Sequence, residues 1–260
     1  MDKAIIRNNL FFWGNSFEIL ECLMNIILFV VIILVASILQ TSTGFGFSIL
    51  ATPFLLLIFT PAEAIQINLT LSLVISMALL SKISKDIDYG VLKRLVIGSG
   101  VGLPIGMAIF LLIDIDKLKL IISLTIIGLT IMLMRKVRLK QNQKRDLVVG
   151  GISGSFTTSI GMPGPPLLLY FSGTDTAKEK LRGTTLAFYL FIYSISLIIQ
   201  MIFAGTNKTV WISSGYALPI VFIGLYLGQL LFGRINQSVF RIFTYMILLF
   251  TGIYLLFDSL

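Results

Sequence analysis

A run of six residues, Gly161-Met162-Pro163-Gly164-Pro165-Pro166, lies inside an apolar stretch from 147 to 171 where an unbroken helix would be expected. No helix can pass through it. Each proline lacks a backbone donor and clashes with the preceding turn, while the glycines permit the dihedrals of a sharp break. In hydrocarbon an unpaired N–H or C=O is costly, so broken backbone is tolerated only where protein buries it or it lines a cavity. A break at that depth points to a binding site or a pathway.

The surrounding sequence makes a bilayer the setting. Of 260 residues, 57% are hydrophobic and 12% charged, and the mean hydropathy is +0.98. Charge-free apolar runs occur at 22–39, 45–59, 64–80, 95–113, 120–134, 147–171, 183–205, 210–233 and 242–257. Most approach the ~20 residues of a spanning helix, and 45–59 does not. The fold class expected is an all-α polytopic membrane protein. The net charge of +8 sits in short loops between apolar runs, so it reads as topology and not as a nucleic-acid surface. One cysteine, Cys22, and no histidine exclude a disulfide framework, the usual zinc sites and a His-based relay. The spans carry no aspartate, histidine or lysine, so neither a catalytic site nor an intramembrane protease can be assembled, and no cofactor or metal is implied. Residues 1–17 read as a polar, aromatic tail, not a cleaved signal.

A second break mirrors the first. The run to residue 39 ends in Gln40-Thr41-Ser42-Thr43-Gly44-Phe45-Gly46-Phe47 and resumes through Pro53 to Phe59. Each broken element is followed by a loop with an acid near a helix start, Pro61-Ala62-Glu63 and Ala177-Lys178-Glu179, and then by three ordinary spans. Gly98, Gly102 and Gly106 in one half, and Gly224 and Gly228 in the other, recur every four residues, the spacing that lets helix backbones approach closely. The organisation predicted is two homologous repeats, 18–134 and 147–260, joined by a basic loop at 135–146.

Counting Lys and Arg orients them. Loop 81–94 carries Lys82, Lys85, Lys93 and Arg94, and the central loop carries Arg135, Lys136, Arg138, Lys140, Lys144 and Arg145, so both are expected in the cytoplasm. If the second broken element is a re-entrant hairpin, Lys178, Lys180, Arg182, Arg234 and Arg241 join them and only Lys208 falls outside. If it spans, the distribution reverses. Arms of roughly 14 and 8 residues, ~21 and ~12 Å as helices, suit a hairpin. A hairpin plus three spans is an odd number of crossings, so the repeats would be inverted. Whether the first broken element is a hairpin or a full span stays open, because 22–39 is almost long enough to cross.

The candidate binding residues gather at the breaks: Thr41, Ser42, Thr43, Gly44 and Gly46 from the first; Ser153, Thr157, Thr158, Gly161, Pro163 and Gly164 from the second. Helix N-termini carry about half a positive charge and donate hydrogen bonds, which favours an oxyanion. The competing reading is that the hydroxyls bond their own helix carbonyls. Asn68 and Thr70 are placed toward the first break. Arg182, beside Thr184, offers a planar five-donor fork suited to oxyanions, against the plainer role of an anchoring charge. Glu63 is a proton-coupling candidate or else a helix cap. Gln200 and Gln229 read as interhelical glue.

These residues resemble a known family. Gly44-Phe45-Gly46 with Pro53-Phe54-Leu55-Leu56, the later Pro61-Ala62-Glu63-Ala64, and the echo from Gly161 to Leu167 with Arg182 downstream are similar to the sulfite exporter TauE/SafE family, over nearly the whole chain from Cys22. The resemblance implies movement of sulfur-containing anions such as sulfite, sulfoacetate or thiosulfate across the bacterial cytoplasmic membrane, usually outward. Two departures stand out: Phe45 and Phe47 in the first break, and Met162-Pro163 in the second, where the family has denser glycine. The reading is a secondary transporter of a small anion working by alternating access, with the lipid bilayer and the substrate as partners and no nucleic acid. An anion channel, a sodium-coupled transporter and a membrane scaffold are the alternatives. Oligomeric state, coupling ion and direction are not encoded in any motif.

Overall fold

A computed structural model describes residues 3–135, 141–172 and 176–232, and then 245–246, 249–250, 252–254 and 256–257; in the first helix side chains are described from Leu23. Lys136, Arg138, Lys140, Arg234 and Arg241 lie outside the described residues. Among those described every regular element is helical: α1 Lys3–Thr43, α2 Phe47–Leu55, α3 Pro61–Ile83, α4 Tyr89–Leu112, α5 Ile115–Met134, α6 Gln143–Ile160, α7 Gly164–Ser172, α8 Lys178–Phe203 and α9 Lys208–Phe232. Five stretches are long and apolar enough to cross a membrane: Leu23–Thr43, Pro61–Asp86, Tyr89–Leu112, Lys178–Phe203 and Lys208–Phe232. Large apolar side chains such as Val101, Leu112, Phe222 and Tyr226 stand on the outer surface, as a lipid-facing exterior requires.

The helix ends follow from local chemistry. Helix α3 opens with Pro61 in its first turn and a capping box in which Thr60 and Glu63 satisfy each other's backbone. Asp88 caps α4 by accepting from Val91 N at 3.1 Å, and Asn142 caps α6. At the second break Gly161 takes a left-handed φ of 71°, and its N–H and that of Met162 donate back to the carbonyls of Thr157 and Phe156. That is a glycine-terminated helix end in which the last carbonyls are used up. At the first break Gly44 and Gly46 have φ of 82° and 110°.

Both broken elements fold back on themselves. The Tyr170 hydroxyl of α7 donates to Asp146 Oδ1 of α6 at 2.5 Å and accepts from Asn142 N at 3.3 Å, so the end of α7 returns to the start of α6. Arg94 of α4 pairs with the other oxygen of Asp146, Nε to Oδ2, at 2.6 Å. In α1–α2 the rings of Phe29 and Phe59 meet edge to face at 5.7 Å. Phe59 adjoins the start of α3. The base of the α6–α7 hairpin instead shares a cleft with Asp88, at the far end of α3. The two hairpins therefore enter the bundle from opposite ends. Two sequence expectations shift in detail. Helix α1 runs unbroken from Lys3, so residues up to 17 continue a helix. Asp146, read as the end of a loop, is a fully buried part of α6.

The glycine stripes are where the halves join. Side chains added at Gly98, Gly102 and Gly106 of α4 would strike the carbonyls of Leu147, Gly151 and Ser155 on α6. Gly224 and Gly228 of α9 lie in the same way against Ser37 and Leu34, and against Thr41 and Ile38, of α1. In both pairs the numbering rises together, so the packed helices run parallel, backbone against backbone. Helices α3 and α8 pack between these two pairs.

Two outcomes follow for stability. Gly102→Val forces two methyls into the Gly151 carbonyl and is expected to prevent α4–α6 docking, read as loss of the thermal unfolding transition in detergent, whereas Gly100→Val, at a position with open space around it, keeps it. Asp146→Ala leaves Arg94 without its acid partner and is expected to cost about 3–5 kcal/mol in chemical unfolding.

Candidate functional site

The N-terminal turns of α2 and α7 meet in the middle of the bundle. A Cβ at Gly164, the first residue of α7, would lie 2.9 Å from Ile49 Cδ1 of α2 and 3.2 Å from the Tyr189 hydroxyl of α8. Beside it the Tyr193 hydroxyl reaches Ser48 Oγ of α2 at 3.5 Å, and the two tyrosine rings are 4.9 Å apart. Both tyrosines are fully buried. Among the described residues the Tyr189 hydroxyl has no hydrogen-bond partner.

Helix α2 supplies the donors here. Its Ncap, Gly46, is left-handed and provides no side-chain bond, and Leu50 N is the first amide to find a helix carbonyl. The amides of Phe47, Ser48 and Ile49 are left to whatever occupies the site. The second break contributes less than its sequence promises. Gly161 and Met162 spend their N–H groups on closing α6, and Pro163, Pro165 and Pro166 have none. Only Gly164 retains a donor there, so α7 acts chiefly through its dipole. Phe45 and Phe47, the departures in the first break, are core residues with 2% and 0% exposure.

The sequence candidates divide. Ser42 and Thr43 bond the Leu39 carbonyl, Thr70 that of Gln66, Thr157 that of Ser153, and Thr158 those of Leu103 and Gly154. These hydroxyls serve helices. Thr41 and Ser153 are buried with unpartnered hydroxyls. Asn68 does not turn to the first break: its Nδ2 donates to the Gly161 carbonyl, 2.7 Å away, and holds the second. Gln200, likewise, ties α8 to the Thr158 carbonyl at 2.5 Å. Glu63, in the first turn of α3, accepts from Thr60 and, at 2.6 Å, from Asn207 Nδ2 at the start of α9. It is a cap and a clasp, away from the tyrosine pair.

Arg182 sits one turn into α8 with 6% exposure. Its Cα backs onto Gly44, where an added Cβ would come to 3.0 Å. The guanidinium lies 4.1 Å over the Phe232 ring, and Nε and Nη2 have no hydrogen-bond partner. Thr184, by contrast, accepts from the Asp88 amide at 2.9 Å. Lys180 pairs with the Asp88 carboxylate at 2.9 Å and, as the largest cause, holds it below the ordinary carboxylate value. These groups border a cleft of about 230 Å³ between Gln141, Phe171, Thr176 and Lys180.

Sequence reading missed the tyrosines. Arg182, Thr185, Tyr189, Tyr193, Ser196 and Gln200 are all buried, and they follow one another at steps of three and four along an otherwise apolar helix. That is one face of α8, and the spacing was visible. What was hidden was that this face meets the helix starts of both hairpins.

The model of the family described as sulfite exporter TauE/SafE matches residues 28–255. The chain belongs to this family. Its members are membrane transporters of sulfur anions such as sulfite, and that is the class of this chain. No curated protein and no solved structure matches it. The matched range covers both hairpins, the glycine stripes and the polar face of α8.

Because Gly164 is closed in by Ile49 and Tyr189, Gly164→Ala is expected to push α7 off α2. Sulfite flux into proteoliposomes should fall at least ten-fold while the unfolding temperature in detergent changes by only a few degrees.

Proposed function

We propose that the protein is a secondary transporter that exports a small sulfur oxyanion or sulfonate across the cytoplasmic membrane of a bacterium or archaeon, by alternating access. The observation that carries this reading is the meeting of two helix N-termini around buried, partly unpartnered hydroxyls. In an apolar interior such an arrangement favours an anion. Arg182, buried beside the first break with two free donors, would draw the anion in from the end of the bundle that carries Lys178 and Lys180. By the distribution of Lys and Arg this end is cytoplasmic, with loops 81–94 and 135–146.

Alternation would follow from an inverted repeat, and two sets of contacts support that reading. The contacts of α4 with α6 recur between α9 and α1, and the hairpins enter from opposite ends. Closures recur too. At one end Asp88 is held by Lys180 and Thr184. At the other, Asn207 holds Glu63, and Gln66 Nε2 donates to the Gly205 carbonyl at 2.6 Å. Each closure ties an interhelical loop of one half to the opening helix of the other half's three spans. Alternating access would release one and keep the other.

Purified protein in liposomes should show saturable sulfite uptake and counterflow exchange. Arg182→Ala, folded by the same thermal criterion, should raise the KM of uptake about ten-fold or more, the scale of a charge-assisted hydrogen bond lost at an entry point on the route. Single-channel currents would replace the carrier with a pore, and an unchanged KM in Arg182→Ala would remove the arginine from the route.

A further inference from the structure

We infer that the Tyr189 hydroxyl is the side-chain donor that binds the transported anion, and that the site it completes accepts a singly charged oxyanion in preference to a doubly charged one. This rests on the transporter reading above and goes past it to the charge of the substrate. Three observations meet at Tyr189. Its hydroxyl is fully buried and has no partner, while the neighbouring Tyr193 hydroxyl is engaged with Ser48. It lies against Gly164, the first residue of α7, and Gly164 in turn abuts Ile49 in the first turn of α2. Both α2 and α7 are nine residues long, enough to hold a helix dipole, and both present their starts to this point.

An orphan hydroxyl in a dry interior is expensive to leave unpaired. A phenol that has kept its proton donates one hydrogen bond, and here it is aimed at the place where both helix starts favour negative charge. Each helix start supplies about half an elementary charge, so the pair offsets about one. The described residues that touch this point are neutral: Ile49, Gly164, Tyr193 and Ser48. Arg182 does not contact an ion held here. It is seven residues, or about 10 Å of helix, before Tyr189, and its guanidinium is laid over Phe232. A second negative charge on the ligand would therefore be desolvated with no cation in contact to offset it. Donation from α2 amides and a phenol suits the oxygens of a sulfonate or a hydrogen-sulfite-type monoanion.

Methanesulfonate and sulfate share a tetrahedral sulfur and differ in charge, which makes them the probes. Calorimetric titration of the purified wild-type protein is expected to give methanesulfonate binding at least ten-fold tighter than sulfate. Equal or tighter sulfate binding overturns the charge assignment. Tyr189→Phe keeps the ring and removes the hydroxyl, and is expected to weaken methanesulfonate binding about ten-fold or more, whereas Tyr193→Phe is expected to change it less than three-fold. Equal loss in both variants, or none in Tyr189→Phe, overturns the role of Tyr189. Should Tyr189→Phe fail to fold in detergent, the wild-type comparison of the two anions still decides the charge, and Tyr189→Trp, which restores an N–H donor on a ring, decides the donor by retaining or losing methanesulfonate. Failure of the wild type to bind either probe or sulfite defeats the transporter reading itself, an outcome separate from all of these.

Discussion

Everything in this structure depends on one constraint: a helix broken inside an apolar layer must hide its broken ends in protein. Two such breaks exist, and each is covered by the other half of the chain. Gly161 is capped from α3 by Asn68, and Gly44 lies against the backbone of Arg182 on α8. At the second break the half's own α8 adds Gln200, bonded to the Thr158 carbonyl, so the cover comes from both halves. The parallel, glycine-lined contacts of α4 with α6 and of α9 with α1 bring the halves close enough for this.

Burial then creates the chemistry. Short helices that begin at mid-depth have free amides and a positive end, and these can be satisfied only by side chains or a ligand. Prolines in the second break strip it of amides and leave its dipole, while the first break keeps both. The two helix starts are accordingly unequal, α2 with free amides and α7 with little beyond its dipole. Tyr189 and Tyr193 of α8 stand between them and exclude water by their bulk.

Much of this architecture was legible from residue patterns alone. Glycine every four residues at matching places in two halves marked the interfaces, and the count of Lys and Arg around 147–171 pointed to a hairpin, which the contact of Tyr170 with Asp146 matches. Other features could not be read. Asp146 follows a basic run and looks like loop, because nothing local reveals that Arg94 and Tyr170, 52 and 24 residues away, converge on it. Asn68 serves the break of the other half, a direction no spacing within α3 encodes. Most hydroxyls near the breaks satisfy their own helices, and although the polar face of α8 that carries Tyr189 has a visible spacing, nothing in α8 says that this face meets the starts of α2 and α7. Long-range pairing, not local propensity, decided each of these.

The two clasps at the ends of the bundle differ in kind. Lys180 and Asp88 are a half-exposed ion pair, with side chains 51% and 29% exposed, whereas Asn207 meets Glu63 through a neutral amide. Dissolved salt screens attraction between full charges and acts far less on a hydrogen bond from an uncharged donor. The contact at one end of the bundle is thus sensitive to ionic strength and the contact at the other much less so. The solution bathing the Lys180 end therefore sets the strength of that contact while leaving the other nearly unchanged.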